Sequence, residues 1–186
     1  MSSSVGIYAS QISGHLSTNN FSSIATVTVG SGGASSITFS SIPSTYTHLQ
    51  LRASHTMGAN NLGINMQVGN GSIDTGSNYA YHYLLGQGTA ASSGAASTQS
   101  SWVYYYVVGN GSTAIPETEI WDFVDYSNTN KYKTSRLLAG VDNNGSGEVF
   151  IASGLWMNTA AINTIKINTS SNVFNVGSSF ALYGIR

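Results

Sequence analysis

Apolar and polar residues alternate in short runs along this chain, and the alternation predicts β-strands. "THLQLRAS" places Leu49, Leu51 and Ala53 on one face and His48, Gln50 and Arg52 on the other. "LGINMQV" gathers Leu62, Ile64, Met66 and Val68, and the "GNGS" after it signals a turn. "YAYHYLL" sets Tyr79, Tyr81, Tyr83 and Leu85 against Ala80, His82 and Leu84. "SWVYYYVV" is apolar on both faces, as expected of a central or covered strand. "TEIWDFVDYSN" alternates through Ile120, Asp122, Val124 and Tyr126. "KTSRLLAGV", "EVFIASGLW", "INTIKIN" and "SSFALYGI" continue the series. Helix signals are poor, because Gly is frequent and Ser, Thr and Asn compete with the helical backbone. Short strands between Gly and Asn turns predict an all-β sandwich or barrel.

Two segments break the pattern. In Met1–Gly33 scattered apolar residues precede an alternating "IATVTV", which predicts an extended arm, one strand and a Gly hinge at Gly30–Gly33. The segment is therefore divided from a body at 34–186. The polar, low-complexity Gln87–Ser101 is expected to be a loop between two strands, or one ordered on a neighbouring subunit.

Composition narrows the function classes. Only 7% of the residues are charged, against about 25% in an ordinary globular chain. Yet 41% are hydrophobic, so this is not the make-up of a disordered segment. The low charge and the net charge of −1 suit a subunit buried in an assembly more than a freely diffusing monomer. Six Lys and Arg make no basic patch for nucleic acid. No apolar run is long enough to span a membrane, and no export signal is evident. Without Cys there is no disulfide or thiolate metal site.

Candidate chemistry is sparse. The histidines His15, His48, His55 and His82 lack metal-binding spacing, so neither a metal nor another cofactor is expected. Glu117 and Glu119 share a strand face, as a glycosidase acid pair would, but nearby Lys131, Lys133 and Arg136 favour cross-strand ion pairs. "DNNGSGE" places Asp142, Asn144, Ser146 and Glu148 as at the start of a calcium loop, although "NNG" is also a hairpin turn. No nucleophile elbow or phosphate loop occurs, so no catalytic residue is assigned and the protein is not expected to be an enzyme. Tyr79, Tyr81, Tyr83, Trp102 and Tyr104 could stack on sugars, or serve as core or subunit-interface residues. In the arm segment, Ile7, Tyr8, Ile12, Leu16, Phe21 and Ile24 are candidates for contact with a shell or a neighbouring subunit.

The stretches "SSITFSSIPSTYTHLQLR", "DTGSNYAYHYL", "DYSNTNKYKTSRLLAGVDNNGSGEV", "SGLWMNTAAINTIKI" and "SSFALYGIR" together resemble small virion structural proteins of tailed bacteriophages, notably those of aquatic bacteria and cyanobacteria. The resemblance runs from about Ala34 to Arg186 and leaves the arm uncovered. It implies a jelly-roll-like antiparallel β-sandwich that assembles as a homo-oligomer, a trimer, in the virion. The expected role is a capsid decoration or cement protein whose N-terminal arm binds the major capsid protein or other virion proteins. The alternative is a tail-fibre or baseplate module that contacts host surface glycans. The closing strand, with Phe180 and Leu182, is expected to be central in a sheet.

Overall fold

The computed structural model describes residues 20–58, 62–107 and 115–186, with the side chains of residues 62 and 103–107 set aside. Ile7, Tyr8, Ile12, Leu16 and Gly109–Ser112, where the turn signal "GNGS" recurs, lie outside the described residues. Thirteen strands follow in order: β1 (Phe21–Thr28), β2 (Ser36–Phe39), β3 (His48–His55), β4 (Leu62–Asn70), β5 (Ser72–Ile73), β6 (Tyr79–Gln87), β7 (Ala90–Gln99), β8 (Trp102–Val107), β9 (Glu117–Val124), β10 (Lys133–Asp142), β11 (Gly147–Trp156), β12 (Thr164–Thr169) and β13 (Ser179–Ile185).

The chain is all-β, an antiparallel sandwich of two sheets. The larger has eight strands in the order β1-β13-β3-β9-β10-β11-β6-β7. In the smaller, β2, β12 and β4 lie in sequence, and β5 and β8 pair different stretches of β4. Eight strands make a jelly roll: β1-β13-β3-β9 in one sheet and β2-β12-β4-β8 in the other, with the chain crossing between sheets at most connections. Two hairpins are inserted into this frame. β6 and β7 fall between β4 and β8, and β10 and β11 between β9 and β12. They pair with each other through β11 and β6 and extend the larger sheet by four strands.

The core lies between the sheets, where the alternating apolar sets meet. Leu49 and Leu51 of β3, Trp121 and Phe123 of β9, and Phe180 and Leu182 of β13 face Ile64, Met66 and Val68 of β4 and Ile165 and Ile167 of β12. In "TEIWDFVDYSN" the outer set ends at Val124. Asp125 has φ 48°, which reverses the parity and turns Tyr126 inward, where its hydroxyl donates to the Pro43 carbonyl. Gly154 permits a close crossing, since a Cβ there would sit 2.7 Å from the indole nitrogen of Trp102. That nitrogen donates to the Leu155 carbonyl at 3.1 Å.

Three expectations change. Gln87–Ser101 is not a loop, because its residues Ala90–Gln99 form β7, hydrogen-bonded along β6. The strand in the arm segment, β1, is the edge strand of the body's own sheet, paired with β13. The closing strand β13 is interior but not central, one place in from that edge. Gly30–Gly33 forms a turn between β1 and β2, closed by the Gly33 amide donating to the Gly30 carbonyl at 3.2 Å, with Gly32 and Gly33 at positive φ.

Candidate interaction surface and a buried carboxylate–histidine cluster

The sandwich buries one face of the larger sheet and leaves the other to its surroundings. On a solvated face of an antiparallel sheet, polar side chains are expected. The four middle and extension strands β9, β10, β11 and β6 depart from this. Ile120 pairs with Leu138, Leu138 with Ile151, and Ile151 with Leu84, in one continuous row across the strands. These side chains are 39%, 52%, 52% and 55% exposed. The row is a ridge of aliphatic side chains flanked by two grooves. One is floored where Val149 lies between Gly140 and Gly86, its cross-strand partners. The other passes Arg136, Ser153 and His82.

Charge on this face is scarce and internally balanced. Arg136 pairs with Asp122 at 3.3 Å, and Asp122 also accepts from Gln50 at 2.8 Å. Nearer the β1 edge, the Arg52 guanidinium lies over the rings of Phe21 and Tyr183, which are 4.8 Å apart. Phe21 is thus an exposed aromatic of the sheet surface. Ile24 sits at the bulge between Ser23 and Ala25, partly buried against the core.

The tyrosine-rich strands do not form one platform. Tyr79 and Trp102 are core residues in edge-to-face contact at 5.4 Å, and the Tyr79 hydroxyl bonds Val68. Burial pushes that phenol well above its ordinary range. Tyr81 and Tyr83 are half-buried on the inner side of β6, and Tyr83 stacks on Phe150 at 5.2 Å. Tyr104 lies on β8, where its backbone pairs with Ile64, and its side chain is outside the described set.

The acidic candidates are redistributed. The expected ion pairs form with aspartates, Asp122 to Arg136 and Asp125 to Lys131. Lys133 instead points inward and donates to the carbonyls of Lys131 and Thr159 at 2.8 and 2.9 Å. Glu117 and Glu119 also point inward, with the face of β9 that carries Trp121 and Phe123. "DNNGSGE" is the β10–β11 hairpin turn: Asn144 and Gly145 adopt positive φ, and Gly145 donates to the Asp142 carboxylate. Glu148 faces inward while Asp142 faces outward, so the calcium-loop positions do not converge.

Glu117, Glu119 and His55 form a cluster inside the sandwich, where β3 pairs with β9. All three are buried, at 6%, 3% and 1% exposure. His55 Nε2 lies 2.8 Å from Glu119 Oε1, and the Trp121 indole donates to the other Glu119 oxygen at 2.9 Å. Among the described residues, Glu117 Oε2 and His55 Nδ1 have no hydrogen-bond partner. Burial, reinforced by the charges of Glu119 and Glu148, holds Glu117 well above the usual carboxylate range. Sequence reading missed this cluster because His55 and Glu119 are 64 residues apart and only the β3–β9 register joins them.

No protein-family model matches the chain, and no curated protein matches it at a significant level. Among the described residues, no helix is long and apolar enough to cross a membrane.

Proposed function

We propose that this chain is a non-enzymatic structural subunit of a bacteriophage virion, a capsid decoration protein that assembles as a homo-oligomer, a trimer. The observation that carries the assembly reading is the ridge Ile120–Leu138–Ile151–Leu84 with its flanking grooves. An apolar strip across four strands, on a face almost without charge, is what a stable subunit contact requires. The occupant is a second copy of the same chain. A groove past Gly140, Val149 and Gly86 runs beside the ridge, and the near-zero net charge opposes no self-association. The virion setting rests on the sequence resemblance over Ala34–Arg186. The arm before β1 would carry attachment to the shell.

A second reading, a tail-fibre module for host glycans, is favoured by Tyr81 and Tyr83, half-buried rings 6.5 Å apart on the inner side of the extension. Gold-labelled antibody against the body, applied to intact virions, tests both. Label spread over the head is expected. Label confined to the tail tip would move the assignment to host recognition, and virions without label would sink both.

A further inference from the structure

The buried cluster has no task in the assembly just described, and its composition is costly. Three carboxylates, Glu117, Glu119 and Glu148, face the interior within electrostatic reach of one another, with one imidazole among them. Unpartnered polar atoms in such a place cost free energy, and native structures retain few of them. Glu117 Oε2 and His55 Nδ1 are two.

We propose that His55, Glu117 and Glu119 form a binding site for a divalent transition-metal cation of the zinc class. One ligand atom from each residue lies within 4.8 Å of the others. Neighbouring ligands of a tetrahedral zinc centre are about 3.4 Å apart, so a small closure of side chains would bring in three ligands and leave the fourth position to water. The donor set, one nitrogen and carboxylate oxygens without sulfur, suits zinc or its cobalt surrogate. A dication offsets the charges of Glu117 and Glu119 and gives the Glu117 oxygen a partner. The Trp121 indole fixes Glu119 from behind, as outer partners of metal ligands do. His55 also borders a groove with Ser54, Thr56, Pro116 and Ser178 at that end of the sandwich.

The test uses the full chain, stripped with a chelator and titrated with Zn²⁺ and Co²⁺. Zn²⁺ should raise Tm by several degrees at one equivalent, and Co²⁺ should give the visible absorption of a low-symmetry site. Trp121 should report binding through a change in fluorescence. The isosteric Glu117→Gln removes the excess charge and should weaken binding by more than the roughly 10- to 100-fold that loss of an outer partner costs. His55→Asn provides a second variant. Failure of Zn²⁺ and Co²⁺ to bind stripped wild type would overturn the site, and so would equal binding by wild type and both variants. A stripped Glu117→Gln protein that is more stable, in a chain indifferent to either metal, would show a proton-sharing cluster and likewise end the proposal.

Discussion

At the scale of single residues, Asp74 does more than any surface acid. Its carboxylate accepts from the Trp156 indole at 2.8 Å, the Asn78 amide at 2.9 Å and the Gly76 backbone at 2.8 Å. Partial burial opposes ionisation, but these donors prevail and hold the carboxyl below its ordinary value. A depressed carboxylate pKa adds stability above the unfolded-state value and loses it as pH falls through the folded one. Asp74→Asn should therefore cost about 1–3 kcal/mol at neutral pH, with the deficit shrinking as pH drops below about 4. Chemical denaturation of both proteins across pH measures this. A deficit that persisted unchanged into acid would show that geometry rather than charge holds this turn. Lys133 illustrates the same economy of charge, satisfied among the described residues by two carbonyls.

At the scale of elements, alternation was a sound guide wherever a strand had one apolar face. Leu49 and Leu51, Ile64, Met66 and Val68, and Phe180 and Leu182 all turn inward as their spacing requires. Alternation was silent for β7, whose Ala, Ser and Gly offer no apolar face. That strand exists because β6 supplies its hydrogen bonds, and Gly94 leaves room for the Tyr83 ring, 2.6 Å from where a Cβ would stand. Alternation left the inner face of β9 undecided: Glu117 and Glu119 lie on the inner face with Trp121 and Phe123, and Ile120 and Val124 on the outer. The acid pair was visible as a same-face pair, but not its burial beside His55. For β13, pairing to both β1 and β3 makes removal severe. Deleting Ala181–Arg186 takes Leu182 from the core and unpairs two strands, and it should abolish soluble expression. A truncated protein that expressed in soluble form with native near-ultraviolet dichroism would refute this placement.

At the scale of the whole molecule, an eight-strand jelly roll supports a four-strand extension, and the apolar ridge runs from the frame onto that extension. Self-association is the behaviour this layout predicts. Leu138→Glu places a charge in the middle of the ridge, on a side chain already half exposed, so it should leave the fold intact. Burying that charge in a subunit contact would cost several kcal/mol, enough to dissociate the oligomer. Light scattering behind size exclusion should show a multimer for wild type and a monomer for the variant. A wild-type monomer at tens of micromolar would remove the ridge from the assembly.

The pairing of β1 with β13 carries one more implication. The Arg186 amide donates to the Asn20 carbonyl at 3.1 Å, so the two ends of the body meet at one corner of the sheet. A cargo fused after Arg186 would emerge beside Asn20, where the chain enters β1. The turn at Asn143–Ser146, between β10 and β11, is the better port for display. By the same geometry a short peptide could join residue 186 to residue 20 and new termini be cut in that turn, giving a circular permutant of the body with the same sheets.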